Sequence, residues 1–533
     1  MAKKKSKKKS KKLPKVLIFI LFVVILIVVG VFAFFYYEAD KKLEEVEVDY
    51  KSIGVEDGTV SFTTKVNGDI DEYEIYAMKD GIKYSIVESS KKFNESILYS
   101  KKLDAGEYTI YVEFFTPIVG GYNVYKTIKL STITIKRDIT EAANGVKYED
   151  FQIQFLELGN TSAGDSIYIK AGDTDILIDA GSEKGSATTL ETQIDEYCTD
   201  KRLEYVIATH GDQDHIAAMV GSKTNGAYNG ILYYYDVDNI IYNEQTSKTS
   251  NIYSEFITAA DNAVSNGAKR TYAHEFFNSD QTPKDSATIK LSDYVSMTIL
   301  WNKYYFEKGY TTASVPSGWE NNYSVCTLFT YTRNDETHNF LLTGDLEYEG
   351  EEALVNHYDG STDALTLPSV DLFKGGHHGS ATSSNDFLLE KITPSIVCVC
   401  SCCGTNEYTT DYSTQFITQA FINRVAKYTD SVYCTSTINP ETKEVESMNG
   451  KITVSAGLDK SGKVQIGLDA TNNLTKLKDT TWFNETIYVL DYTLDSKTGI
   501  PSGNNSAKKG SNEFYNDKTE GVKAVPRRIW PTS

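Results

Sequence analysis

The sequence predicts three parts in order: one membrane-spanning helix, a small all-β sandwich, and a large layered α/β domain. Three observations predict them. An uncharged apolar run fills residues 16–37. From about Glu44 to Arg137, short alternating strands are broken by turn signals. From Val146 to about residue 470, apolar strand runs alternate with helix-like stretches, the pattern of an α/β layered domain. A chain of 533 residues has room for such parts, each with its own core.

Nine lysines and no acidic residue lie between Lys3 and Lys15, and residues 1–15 read as a basic cytoplasmic tail. Val16 to Tyr37 follow without a charge. At ~1.5 Å per residue a helix of that length covers ~33 Å, enough to cross the hydrocarbon core of a bilayer. Phe34-Phe35-Tyr36-Tyr37 sits where an interfacial aromatic belt is expected. A cleaved signal peptide fits less well, because the run is long for one and no small-x-small site follows. A soluble core helix is rarely apolar on every face. Residues 16–37 are therefore expected to be a single-pass signal anchor. Positive flanks stay cytoplasmic, which puts the rest of the chain outside the cytoplasm.

Residues 44–137 carry strands such as Thr59-Val-Ser-Phe-Thr-Thr and Glu107-Tyr-Thr-Ile-Tyr-Val. Their spacing suggests an immunoglobulin or fibronectin-III type sandwich. With no His and no Cys, this stretch is expected to be a spacer or binding module. The 37 tyrosines of the chain agree with β-rich structure.

The domain at 146–470 has helical candidates at Thr189–Tyr197, Ile252–Asn266 and Ser413–Tyr428. Beyond it, residues 476–533 read as an extension. The strand-like run from Glu485 is expected to dock, and the Gly-, Ser-, Asn- and Lys-rich part from Ser496 onward is expected to be poorly ordered. Four of the seven cysteines cluster in Ile396-Val-Cys-Val-Cys-Ser-Cys-Cys403. Alternation with valines points to a buried strand, and no partner stands at zinc-finger spacing, so packing is expected of them. The formal charge is −19. Without the nine N-terminal lysines, 45 basic residues face 73 acidic ones, a balance of about −28. That surface disfavours non-specific nucleic-acid binding.

Four segments share one layout, an apolar strand run followed at once by ligand-type residues. They are Ile176-Leu-Ile-Asp179, Tyr205-Val-Ile-Ala-Thr-His210, Phe340-Leu-Leu-Thr-Gly-Asp345, and Val370-Asp-Leu-Phe-Lys-Gly-Gly-His377-His378. Sites in layered α/β folds assemble where strand carboxyl ends meet loops. Of only seven histidines, His210, His215, His377 and His378 fall here. A tight loop can turn His210 and Asp212 toward one metal and Asp214 and His215 toward a second. Asp345 could bridge both, and His377 or His378 would complete the second position. Two metals ~3.5–4 Å apart can neutralise charge developing on a scissile phosphate or carbonyl.

His210-Gly-Asp212-Gln-Asp214-His215 resembles the His-x-His-x-Asp-His hallmark of the metallo-β-lactamase superfamily. More narrowly, the chain is similar to the hydrolase domain of ComEC-type competence proteins, which carry Asp in place of the second His. The likeness includes Phe155-Leu-Glu-Leu-Gly159, Gly164-Asp-Ser166, Asn321-Asn-Tyr-Ser324, Leu342-Thr-Gly-Asp345 and Lys374-Gly-Gly-His-His-Gly-Ser380. It implies a four-layer αββα sandwich. It also implies that His210, Asp212, Asp214, His215, Asp345 and His377 are ligands of a divalent centre, expected to hold two ions, zinc or manganese. Asp214 and Asp345 would be catalytic, with a hydroxide bridging the metals. Asp179 would orient a ligand histidine. Asp165, Asn321 and Ser324 would shape the pocket, and Lys374 would pair with substrate phosphate or lie as an ordinary lysine at a strand end. Sequence leaves His377 and His378 open as alternatives. His377 is preferred because the last ligand of the superfamily usually follows a glycine directly. His274, His338 and His357 lie outside every motif.

Three departures stand out. Many superfamily members have a further His shortly before the bridging Asp, where this chain has Gly318-Trp-Glu320-Asn-Asn-Tyr-Ser324; Glu320 or Asn321 could substitute. The opening loop is longer, with Asn160-Thr-Ser-Ala163. The His-Pro that follows an Asn-x-Tyr step in the ComEC type is replaced after Asn406-Glu-Tyr408. Taken together, these features predict an exported metal-dependent hydrolase of phosphodiesters or other phosphorylated substrates, small or polymeric. One spanning segment gives no multi-helix DNA-transport channel. Two alternatives are a cell-envelope esterase acting on phosphocholine or teichoic-acid-type esters, and a non-catalytic binding module.

Overall fold

In the computed structural model, the described residues are 15–531 apart from 51–52, 57–58, 69, 80, 91–96, 104–105, 136–141, 308–318, 360–365, 406–413, 440–441, 490–492, 495–500 and 503–522. The basic tail expected at 1–15 falls almost wholly outside them. So do the Asn406–Tyr408 departure, Gly318, the start of the helix expected from Ser413, and most of the Gly/Ser-rich stretch after Ser496. The chain forms two compact units, Met1–Asp138 and Ile139–Ser533.

The first unit opens with a helix over Lys15–Glu44. Phe22–Glu44 has a mean hydropathy of 2.3 and is almost entirely exposed, a length and composition that suit a membrane anchor or a signal sequence. Past the apolar run the helix continues for two turns, where Ala39 and Leu43 are buried in the core of the unit. Two antiparallel sheets of four strands follow. In one, Thr59–Asn67 pairs with Glu47–Tyr50, Gly54–Glu56 and Ile97–Lys102. The other has the order Ile82–Ser90, Glu72–Lys79, Gly106–Ile118, Tyr122–Ile135. Alternate residues such as Val60 and Phe62, or Ile110, Val112 and Phe114, point into one core, as the two-residue strand period requires.

The second unit holds two large sheets. The first runs Lys269–Tyr272, Asp236–Tyr242, Arg202–Ala208, Thr174–Ile178, Ile167–Ala171, Phe151–Phe155, Ile452–Leu458, Val464–Ala470 and Ala143–Asn144. The second runs Thr288–Lys290, Val295–Ile299, Thr327–Arg333, Glu336–Leu342, Leu372–Lys374, Ile396–Cys403, Val432–Ile438 and Val445–Ser447. Neighbouring strands are parallel from Thr174–Ile178 through Lys269–Tyr272, and again from Glu336–Leu342 through Val432–Ile438.

Three apolar slabs separate four layers. Phe151, Ile153, Ile176 and Ile178 of the first sheet meet Met297, Phe329, Phe340 and Leu372 of the second in the central slab. Leu177 and Val206 point the other way, onto helices Ser186–Ile194, Gln213–Val220 and Asn251–Ser265. Leu341, Phe373 and Val397 pack on Tyr348–His357, Asp386–Ile392 and Gln419–Val425. This is the αββα sandwich the motifs imply, and burial on both faces explains the nearly unbroken apolar runs of its parallel strands.

All seven cysteines are buried and unbridged; Cys398 and Cys400 face the central slab while Cys403 and Cys434 face the helices. In the C-terminal extension, Thr486–Val489 pairs with Lys523–Pro526. Arg528 is buried, donating to the carbonyls of Gln415 and Ile417, and Trp530 packs on the helical slab. Residues 523–531 are thus part of the fold.

Candidate metal centre

The parallel strands of both sheets deliver their carboxyl ends to one edge of the sandwich. From the first sheet come Asp165, preceding the strand Ile167–Ala171, then Asp179 after Ile178 and the motif after Ala208. From the second come Asp345 after Leu342, and Lys374, His377 and His378.

The motif bends sharply and then starts a helix. Asp212 is extended and caps Gln213–Val220, so Asp214 and His215 lie in its first turn. Two glycines let this loop seat. A Cβ on Gly181 would lie 1.5 Å from the Asp214 carbonyl, and one on Gly211 would lie 2.7 Å from Glu320 Oε1. Backbone bonds lock the register: Asp165 N donates to Asp214 O at 3.1 Å, and Ala180 N to His215 O at 2.7 Å. On the opposite side, His377 and His378 are both left-handed, with φ of 46° and 51°, between Gly376 and Gly379. Such backbone costs a side-chain-bearing residue about 1 kcal/mol or more, and tertiary bonds must hold it. Gly376 N donates to Ser384 Oγ at 3.0 Å, and Ser384 N donates to the buried Glu351 at 2.6 Å.

Asp165, His215, Asp345 and His378 bring one ligand atom each within 4.8 Å of one another, all buried. His215 Nε2 is 3.0 Å from Asp345 Oδ2, while its Nδ1 is 2.8 Å from Asp179 Oδ2. Asp179 also accepts from Thr209 N and Thr209 Oγ1, both at 2.7 Å, which fixes its carboxylate. His378 Nε2 lies 3.1 Å from Asp345 Oδ2 and 3.3 Å from Asp214 Oδ2. His377 sits further out, its Nε2 3.8 Å from Asp345 Oδ2 and its Nδ1 3.2 Å from Thr382 Oγ1. Of the two alternatives left open by sequence, His378 is the one inside the cluster. His210 and Asp212 stand beside it, with Nε2 and Oδ2 3.5 Å apart.

Lys374 is fully buried. Its ammonium is 2.9 Å from Asp345 Oδ1, 2.5 Å from Asp165 Oδ2 and 2.7 Å from the Gly344 carbonyl. Glu320 makes four bonds, accepting from Gly211 N at 3.0 Å, Thr246 Oγ1 at 2.7 Å, Ser247 N at 2.6 Å and Ser247 Oγ at 2.8 Å. Asn321 donates to Glu347 at 3.1 Å, and Ser324 Oγ accepts from Asp345 N at 3.0 Å.

The charges compensate one another. Burial alone would push the His215 imidazole down, yet Asp345 and Asp179 hold it well above the usual histidine range. His378 is raised likewise, Asp345 and Asp165 outweighing burial. Burial would push Asp345 up, but His378, Lys374 and His215 hold it well below the usual carboxylate range. Asp214 is also lowered, burial being outweighed by His378 and His215.

These residues fit a divalent ion. His210 Nε2 and His378 Nε2 are buried with no hydrogen-bond partner among the described residues, although carboxylates surround them. Imidazole nitrogens and carboxylate oxygens drawn together in this way are a ligand set for a divalent metal ion.

Residues 159–283 match the family model described as the Metallo-beta-lactamase superfamily. The domain has the metallo-β-lactamase fold. Over 68 residues the chain is 34% identical to "Recombination protein 2" of Haemophilus influenzae, a match that spans 13% of this chain and 8% of that protein. Among solved structures, the metallo-beta-lactamase SMB-1 in complex with mercaptoacetic acid is 12% identical, covering 42% of this chain and 79% of that one at a TM-score of 0.24. A beta-lactamase from Chitinophaga pinensis is 16% identical, covering 44% and 80% at a TM-score of 0.23.

Three further side chains stand at the site outside the sequence motifs. Lys248 forms an ion pair with Asp212, Glu347 lies 3.4 Å from His377, and Glu351 clamps the turn after the His pair. Glu347 and Glu351 follow Asp345 in a short acidic run that could have marked them; Lys248 carries no local signal. His338 pairs with Asp371 and His357 stacks on Trp301, away from the centre.

Proposed function

We propose that this protein is a membrane-anchored, exported, metal-dependent hydrolase that cleaves a phosphodiester or another phosphorylated substrate. The observation that carries the proposal is the convergence of His215 Nε2 and His378 Nε2 on Asp345 Oδ2, with Asp214 Oδ2 beside His378 Nε2, at 3.0–3.3 Å. Those four residues would hold a divalent ion, with His210 and Asp212 beside it. Such an ion would supply Lewis acidity, activating water and offsetting charge on the substrate oxygens.

The chain's own residues do the rest. Asp179 fixes the His215 ring so that Nε2 faces the centre. Lys374 and Ser324 hold Asp345 through its Oδ1 and its backbone N, leaving Oδ2 turned inward. The left-handed Gly376–Gly379 turn presents His378 from the opposite sheet. Asp214, kept ionised by the neighbouring imidazoles, would offer its Oδ2 to the ion as a negatively charged donor.

The likeness to Recombination protein 2 supports a nucleic-acid phosphodiester as one candidate, whereas the acidic balance of the chain opposes long polyanions. The apolar N-terminal helix favours substrates at a membrane surface, phosphocholine or teichoic-acid-type esters among them. The full chain, purified in detergent, should hydrolyse bis(p-nitrophenyl) phosphate in a chelator-sensitive way, and Asp345→Ala should abolish turnover. Single-stranded DNA and phosphocholine esters assayed in parallel would separate the substrate classes. Activity that survives both the chelator and Asp345→Ala refutes the proposal.

A further inference from the structure

The superfamily pattern implies two ions side by side, and this chain offers them unequal positions. One position gathers His215 Nε2 and His378 Nε2 about Asp345 Oδ2, at 3.0 and 3.1 Å, with Asp214 Oδ2 3.3 Å from His378 Nε2. The other has His210 Nε2 and a single oxygen of Asp212, because the second oxygen of Asp212 holds the Lys248 ammonium.

Three side chains that could add a donor of their own there, Glu320, Asn321 and Ser324, are committed elsewhere, and Asp345 Oδ2 belongs to the first position. Glu320, in the segment where many superfamily members carry a further histidine, has both oxygens engaged by Gly211, Thr246 and Ser247. Asn321 is bonded to Glu347, and Ser324 Oγ accepts from Asp345 N. Asp345 Oδ1 is held by Lys374. The bonds that occupy Glu320 also deliver Lys248, for they fasten the Thr246–Ser247 turn to Gly211 of the motif, and Lys248 N donates to Thr246 Oγ1 at 2.9 Å. A dication placed between His210 and Asp212 would face this ammonium as a like charge and find two donors where a stable site needs at least three.

We infer that the centre holds one tightly bound divalent ion, at Asp214, His215, Asp345 and His378, and that the Lys248 ammonium supplies its second positive charge. The inference rests on the metal-hydrolase reading and specifies how that site meets an anion. A lysine ammonium is a compact charge with three donors on a flexible stem, suited to a phosphate oxygen. Its side chain is about one-third exposed, so it reaches the solvent side of the centre, unlike the enclosed Lys374.

The test counts metal. Full chain in detergent is incubated with excess manganese or zinc, dialysed against metal-free buffer, and analysed by inductively coupled plasma mass spectrometry. One ion per chain is expected, with loss of that ion in His378→Ala at unchanged circular dichroism. The double variant Asp212→His, Lys248→Ala, which restores the histidine of the hallmark and removes the ammonium, should approach two. Two ions in the unaltered chain would overturn the inference and leave the hydrolase reading standing. No ion at all would overturn both. A double variant that stays at one ion would refute the role given to Lys248.

Discussion

Replacing Lys374 by methionine removes a charge from the interior while nearly conserving volume. The ammonium is fully buried between Asp345 Oδ1 at 2.9 Å and Asp165 Oδ2 at 2.5 Å. Taking one partner from a buried ion pair leaves an uncompensated charge, at a cost of about 3–5 kcal/mol. For a unit of roughly 400 residues, an unfolding entropy of about 2 cal/mol/K per residue gives about 0.8 kcal/mol per kelvin. Lys374→Met should therefore lower the melting temperature of that unit by about 4–6 °C. The sign of its pH dependence follows from the carboxylates. Asp165 and Asp345 are held below their ordinary value, burial being outweighed by Lys374 and the histidines. Their contribution is present above the unfolded value near 3.8 and is lost as pH falls through the folded one. The gap between variant and parent should be widest near pH 7 and shrink below about pH 4. Calorimetry of the chelator-treated full chain reads both. A variant melting within 1 °C of the parent at pH 7 would refute the compensation argument.

Three further predictions follow from individual side chains. Asp179→Ala frees the His215 ring and should weaken metal binding by about 10–100-fold in calorimetric titration; unchanged affinity would deny Asp179 its orienting role. Burial pushes Glu351 up to about 7, although Asn385, Ser384 and Arg424 pull it the other way. Its stabilisation is complete below the unfolded value near 4.5 and is lost as pH rises through about 7, so Glu351→Gln should flatten the fall in urea midpoint between pH 5 and 7. Metal uptake should release protons from His215 and His378, both raised in the metal-free protein, so that affinity climbs with pH. Titrations in buffers of different ionisation enthalpy would reveal this, and a buffer-independent heat would rule it out.

Much of the fold was legible because its signals are local. Two-sided burial writes itself as apolar runs such as Ile176–Ile178 and Phe340–Leu342, and ligand residues at their ends marked the edge of the sandwich where the donors meet. The runs alone gave a layered α/β domain, and the four-layer order came from the resemblance that the motifs carry. Other features depended on tertiary placement. Adjacent histidines that both take left-handed backbone differ in what surrounds them, so His377 and His378 could not be separated by a glycine rule. Lys374 looks like a strand-end lysine until two carboxylates from different sheets enclose it. Lys248 lies in a polar loop with no pattern, and only the bonds of Glu320 carry it to Asp212. The stretch from Ser496 onward reads as poorly ordered, yet residues 523–531 pack, with Arg528 donating to the carbonyls of Gln415 and Ile417.

The most direct test of the central claim is anomalous diffraction from crystals of the metal-loaded protein. The account predicts a peak within about 2.0–2.3 Å of His215 Nε2 and His378 Nε2, bounded by Asp214 and Asp345. A peak coordinated by His377 in place of His378 would contradict the assignment, and the absence of any peak at this edge would contradict the metal-hydrolase account as a whole.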